Sequence, residues 1–198
     1  MNGHRPARGN PSREQNPAYG LLQPIFYRNN VNDQQAWTQA AKIASNHYEH
    51  LPTMVRAELD ALINEIMRLK EQLSEFTLSS GSADICRTCG GKCCLNGKYH
   101  FSVLDLLAYR NTLFEPILPD FTAYQRCPYS CGSGCLMPPR FRPMTCVVFN
   151  CELIENQMKS SQREALYECE KQLRKSISQA CRIAGRRLDR ALLLSYEN

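Results

Sequence analysis

Nine of the eleven cysteines in this chain fall between Cys86 and Cys151. They form two clusters. The first reads Cys86-Arg-Thr-Cys89-Gly-Gly-Lys-Cys93-Cys94. The second reads Cys127-Pro-Tyr-Ser-Cys131-Gly-Ser-Gly-Cys135, with Cys146 and Cys151 behind it. Thiols at this density either cross-link a secreted chain or ligate soft cations in a reducing compartment. Eleven is an odd number, so a full set of disulfides would leave one thiol over. The N-terminus, Met1-Asn2-Gly3-His4-Arg5-Pro6, lacks the apolar run of a signal peptide. The expectation is therefore thiolate ligation in a cytoplasmic protein. No stretch approaches the roughly 20 apolar residues of a membrane span.

Two cysteines separated by two residues can grip one metal from a single turn, and Cys86 and Cys89 have that spacing. The adjacent pair Cys93-Cys94 is less usual. In extended backbone neighbouring side chains point apart, so both seldom reach one ion. Either one of the two is structural, or the pair faces two metals or a polynuclear cluster. This tilts the reading toward iron–sulfur over a lone zinc, with two zinc sites as an open alternative. Gly90, Gly91, Gly132 and Gly134 would let backbone N–H groups approach the sulfurs. Lys92, Arg126, Arg140 and Arg142 would offset thiolate charge. His100 could stand in for a cysteine, but reads better as a surface residue or a neighbour of the ligands.

Helical periodicity flanks the clusters. Residues 1–30, rich in Pro, Gly, Asn and Arg, read as a mobile arm. Asp33 reads as the N-cap of a helix to about His50, with Trp37, Ala40, Ala41, Ala44 and Tyr48 near one face. His47 and His50 near its end suit the helix C-terminus better than a metal. Thr53 reads as the cap of a second helix to about Phe76, so that residues 31–80 form a helical hairpin or coiled-coil-like region. Its apolar positions Val55, Leu59, Leu62, Ile66, Leu69, Leu73 and Phe76 step by four and three. That stripe fits packing within the chain, or a homodimer seam through residues 53–78. Ser79-Ser80-Gly81-Ser82 reads as a flexible joint. Ser102 should cap a short helix from Val103 to about Thr112, ended by Pro116 and Pro119. Residues 152–198 should be one long helix or a broken pair with Leu166, Cys169, Leu173, Ile177, Ala180, Ala184, Leu188 and Ala191 on its stripe. Gly185 is a weak point in it. Cys169 and Cys181 on or beside that face read as small buried residues. The fold class is thus mainly α, with a small irregular Cys-rich metal-binding module, residues 84–151, between long helices.

At these residues the chain resembles the bacterial cysteine-cluster proteins of the YkgJ type, a zinc- or iron-chelating family. Their pattern is Cys-x2-Cys-x2-Cys-Cys, then Cys-Pro, Gly-x-Cys or similar, and Arg-Pro-x2-Cys. Cys86, Cys89, Cys93 and Cys94 correspond to the first part and Cys127-Pro128 to the second. Cys135 corresponds to the third and Arg142-Pro143-Met144-Thr145-Cys146 to the fourth. Asp105-Leu106 matches the family's short helix. Here three residues, not two, separate Cys89 from Cys93, and Cys131 and Cys151 are extra to the pattern. The likeness spans about residues 84–150, a third of the chain. It implies a metal set of Cys86, Cys89, Cys93, Cys94, Cys127, Cys135 and Cys146 holding an iron–sulfur cluster or zinc. It implies reaction chemistry less strongly, because kinship of fold does not determine function. Members labelled Fe–S oxidoreductases and a flagellin lysine methylase with a similar cluster show one direction.

No phosphate loop, dinucleotide fingerprint or nucleophile elbow is present, which argues against a self-contained kinase, dehydrogenase or hydrolase. The net charge of +5 permits an acidic partner without demanding one. Lys171, Arg174, Lys175, Arg182, Arg186, Arg187 and Arg190 form a basic run without interleaved aromatics. A solvated helix face is the better reading there than nucleic acid. The leading expectation is a metal-binding protein with a redox or metal-handling role and an unidentified protein partner. The alternatives are an Fe–S-dependent modifying enzyme and a zinc-stabilised interaction scaffold.

Overall fold

A computed structural model describes residues 30–112, 114–122, 127–131 and 134–196. The expected N-terminal arm lies outside them except for Asn30. In chain order the elements are α1 (Asn30–Glu49), α2 (Thr53–Ser79), α3 (Ser82–Cys89), a 3₁₀ turn (Lys92–Tyr99) and α4 (Val103–Arg110). A small hairpin follows, β1 (Ser130–Cys131) and β2 (Gly134–Cys135), and then a 3₁₀ turn (Pro139–Phe141). Last come α5 (Met144–Val148), α6 (Glu152–Glu155), α7 (Ser160–Ile183) and a 3₁₀ turn (Leu192–Leu194). The fold is mainly α, as the periodicity implied.

The centre is α2 laid along α7. Leu59, Ile63, Ile66, Leu69 and Leu73 of α2 are buried, as are Leu166, Cys169, Leu173, Ile177 and Ala180 of α7. Each buried aliphatic side chain contributes about 1.5–3 kcal/mol relative to exposure. The stripe on α2 is therefore spent inside the chain. The homodimer seam through residues 53–78 is not a free surface. Cys169 sits in this seam, its thiol directed at the Leu69 carbonyl at 3.7 Å.

Several boundaries differ from expectation for local reasons. α1 begins at Asn30, so Asp33 lies in its first turn and is not the N-cap. Its buried carboxylate accepts from Lys98 Nζ at 2.9 Å. Pro52, not Thr53, occupies the N-cap position of α2, and Thr53 is the first helical residue. The serine-rich joint is a tight turn: α2 runs through Ser79, and Gly81 at φ +76° hands the chain straight into α3. α7 ends at Ile183 in a Schellman motif. There Gly185 at φ +65° donates to Arg182 O and Arg186 donates to Cys181 O, both at 3.1 Å. Leu188 and Ala191 therefore lie beyond the helix.

That tail has a structural task. Ser102 caps α4 as expected, in a capping box with Asp105. The next two orphan N–H groups, of Val103 and Leu104, donate to the Arg190 and Leu188 carbonyls at 3.3 and 2.9 Å. The Leu192 N–H returns to Phe101 O at 2.7 Å. The C-terminal tail thus closes the start of α4, whose buried residues run from Val103 to Tyr109. α4 comes from the middle of the cysteine-rich segment, yet it lies in the same apolar core as the flanking helices.

Candidate metal centre

The two cysteine clusters, more than thirty residues apart in sequence, come together around the 3₁₀ turn Lys92–Tyr99. Cys86 and Cys89 ride on α3, one turn apart, so both thiols lie along one side of the helix. α3 ends in a Schellman motif: Gly90 at φ +64° donates to Arg87 O, and Gly91 donates to Cys86 O, both at 3.3 Å. Gly91 also adopts a left-handed φ of +67°. Two such glycines in a row reverse the chain and start the turn that carries Cys93 and Cys94. The backbone there is helical, not extended as the sequence reading assumed, and the Cys93 thiol acts on its neighbour Cys94.

The far end of this turn meets the second cluster. Gly97 is buried against Cys127 so closely that a Cβ on it would stand 2.5 Å from the Cys127 sulfur. Cys127 begins a compact loop. Its carbonyl accepts from the Ser130 N–H at 3.1 Å, and the hairpin pairs Ser130 with Cys135 and Cys131 with Gly134. An aromatic cluster pins that loop to the body. Trp37 Nε1 donates to the Tyr129 hydroxyl at 2.9 Å, and Phe101 lies between their rings, 6.1 Å from Trp37 and 5.2 Å from Tyr129. Pro143 opens α5 and places Cys146 in its first turn, where the thiol lies 3.5 Å from His100 Nδ1. Cys151 is the N-cap of α6, and α6 packs on α3.

The electrostatics follow this placement. Burial, followed by the thiols of Cys93, Cys89 and Cys151, pushes the Cys86 thiol up, and Arg142 opposes the shift. Burial and the neighbouring Cys93, Cys127 and Cys135 push Cys94 up to about 12. Cys146 keeps solvent access yet is crowded by protein. Burial and then Cys135, Cys127, Asp105 and Cys94 hold its thiol far above the ordinary range. Thiols that raise one another in this way are protonated when free, and a bound cation relieves the same repulsion by taking them as thiolates. Burial lowers His100, which keeps its imidazole neutral beside Cys146.

All seven expected ligands, Cys86, Cys89, Cys93, Cys94, Cys127, Cys135 and Cys146, lie in this head and form no disulfide, and Cys131 and Cys151 lie there with them. Among the described residues no three His, Cys, Asp or Glu side chains already stand in an arrangement that could hold an ion. The donor chemistry is all sulfur and suits zinc or an iron–sulfur cluster. The supporting charges are redistributed. Arg140 is paired with Glu71 at 2.8 Å, Arg142 donates to the Met137 carbonyl at 2.9 Å, and Arg126 and Gly132 lie outside the described residues. His50 contacts the Asn46 carbonyl at 2.7 Å, and His47 contacts Arg186 and Tyr196, so neither reaches the cysteine head.

Sequence reasoning missed the ion pair behind the site. Lys70 of α2 and Asp105 of α4 are both buried and meet at 2.5 Å. The other Asp105 oxygen accepts from the Ser102 N–H at 2.8 Å and its hydroxyl at 2.7 Å. Asp105 is within electrostatic reach of Cys146. A lysine in an otherwise apolar stretch of a helix stripe was the available signal.

No protein-family model, curated protein or solved structure matches this chain. Among the described residues no helix is long and apolar enough to cross a membrane.

Proposed function

We propose that this chain is a thiolate metal protein whose cysteine head holds zinc or an iron–sulfur cluster. The observation that carries the reading is the apposition of the two clusters. Gly97 has no room for a Cβ beside Cys127, and His100 touches Cys146, although each pair is distant in sequence. The Trp37, Phe101 and Tyr129 contacts hold the Cys127 loop to the body, which keeps cysteines of both clusters in one part of the molecule, as a shared metal site requires. The YkgJ-type order of cysteines supports the same reading. Cys86, Cys89, Cys93, Cys94, Cys127, Cys135 and Cys146 are the ligands it names. When bound, zinc would lock the head as a structural clasp, and an iron–sulfur cluster would supply one-electron chemistry. The helical body would provide the rigid support; an iron–sulfur cluster suits a redox role and zinc a structural or metal-handling one, in a cytoplasmic protein that works with a protein partner.

The test is anaerobic purification followed by an absorption spectrum and analysis for iron, sulfide and zinc. Broad visible absorption with stoichiometric iron and sulfide identifies a cluster, and colourless protein with stoichiometric zinc identifies the clasp. Cys86→Ser should lower the metal content and Cys169→Ser should not. Folded protein that carries neither metal and takes up neither on reconstitution refutes the reading.

A further inference from the structure

A cleft of about 210 Å³ lies where α1, α2, α4 and the tail beyond α7 meet, and no cysteine lines it. Its floor is apolar. Ala44, Leu59, Val103, Leu107 and Leu188 line it, and all are buried. The backbone builds the rim. The Schellman motif at Gly185 turns the chain at the end of α7, and the next residue, Arg186, meets His47 of α1. Arginine has donors only, so Nη1 donates to His47 Nδ1, the unprotonated nitrogen of a neutral imidazole. The guanidinium carbon stands 5.3 Å from the centre of the Tyr196 ring, and that ring lies 5.7 Å from the imidazole. Neither neighbour carries a countercharge. Among the described residues no carboxylate pairs with Arg186, and its Nε and Nη2 meet no acceptor. The Tyr196 hydroxyl is buried and has no hydrogen-bond partner among them, whereas that of Tyr48 is held by Asp60. Buried hydroxyls are seldom left so.

An apolar floor with a cation at its rim selects a ligand of matching pattern, an apolar body carrying a negative charge. The guanidinium edge formed by Nε and Nη2 fits a carboxylate bidentately. Arg186 is the only lysine or arginine lining the cleft, so one negative charge suits it better than the two of a phosphate monoester. Size narrows the choice. A cavity of about 150 Å³ takes a benzene ring, and drug-sized ligands need roughly 300–1,000 Å³. We infer that this cleft binds a small carboxylate with an apolar body about the size of a benzene ring, the body on Leu59 and Leu107 and the carboxylate on Arg186. His47 and Tyr196 position the guanidinium at the rim. The inference is independent of the metal reading.

The probes are phenylacetate and hexanoate, with phenylacetamide as the uncharged control and phenyl phosphate as the doubly charged one. Binding to the isotope-labelled full chain is read from its amide resonances, which also report whether each variant is folded. Phenylacetate and hexanoate should titrate saturably and shift the amides of Ala44, Leu107 and Leu188. Phenylacetamide should bind at least about tenfold more weakly than phenylacetate, because it lacks the charge-assisted pair with Arg186. Arg186→Gln should weaken phenylacetate by a similar factor and leave phenylacetamide unchanged. Arg182→Gln, exposed on α7 and outside the cleft, should alter neither. Ala184→Phe, which adds a ring to the half-buried wall, should abolish binding of both in a folded protein. Equal affinity for the acid and the amide overturns the inference, and so does an Arg186→Gln protein that binds phenylacetate like wild type. Tighter binding of phenyl phosphate than of phenylacetate overturns the carboxylate assignment. No saturable binding of either carboxylate at millimolar concentration overturns the site altogether.

Discussion

Gly97→Ala tests the apposition of the clusters directly. The new Cβ would lie 2.5 Å from the Cys127 sulfur, 2.6 Å from its Cβ and 3.2 Å from its Cα. Non-bonded carbon contacts are comfortable at about 3.5–4.0 Å, so Cys127 must retreat by about 1 Å or the turn must move as far. Zinc–thiolate bonds are about 2.3 Å long, and a working site tolerates errors of only about 0.2 Å. If Cys127 is a ligand, as proposed, the displacement would take it out of coordination range. Overpacking of this kind costs about 1–3 kcal/mol besides. Gly185→Ala is the control. There the added side chain is strained by its positive φ, +65°, but meets open space at the end of α7. Its strain should be about 1–2 kcal/mol. Urea unfolding of the metal-free proteins reads the stability terms, and metal analysis of the anaerobically purified proteins reads the site. Both variants should be destabilised by similar amounts, and only Gly97→Ala should lose metal. A Gly97→Ala protein with wild-type metal content would refute the reasoning, because it would mean that Cys127 has freedom the packing denies it.

Two further outcomes concern the buried charges. Lys70→Met leaves the Asp105 carboxylate buried without its cation and should cost about 3–5 kcal/mol in denaturant unfolding. Lys70→Met combined with Asp105→Leu should recover much of that loss, and a recovery of nothing would show that the carboxylate was not the source of the penalty. Lys98→Met should cost about 1–3 kcal/mol by removing a charged hydrogen bond to the buried Asp33. Burial alone would lower Lys98, but the hydrogen bonds to Asp33 and Tyr99 outweigh it and hold the ammonium above its ordinary value. A raised folded-state value means the contribution is fully present below the unfolded lysine value of about 10.4. It is lost as pH rises through the folded one. The stability gap between wild type and Lys98→Met should therefore be constant through neutral pH and close only in strong alkali. A gap that closes near neutrality would contradict the assignment.

Short-range chemistry was legible in the sequence. Ser102 was readable as a helix cap because its hydroxyl needs only the backbone three residues on, and it caps α4. The stripe from Leu59 to Leu73 declared a buried helical face, since the apolar period is a property of the helix itself. Gly185 marked the place where α7 stops, although its left-handed φ makes it a terminator and not merely a weak link. The Asp33 cap failed for the opposite reason. An acidic residue near a helix start suits a cap or a first turn equally well, and Lys98, sixty-five residues away, decided between them.

The site divides along the same line. Sequence alone determined which nine cysteines belong to one segment and that glycines stand among them. It could not determine which cysteine faces which. Only the tertiary structure brought Gly97 onto Cys127, His100 onto Cys146 and the Cys151-capped helix onto α3. It also decided that the α2 stripe is spent on α7, and that Lys70 and Asp105 are buried together behind Cys146. The physical reason is range. Capping, helical period and turn preference act over a few residues and leave their mark in any short window. Pairings between distant segments are chosen by how the whole core closes, and no local pattern carries that information.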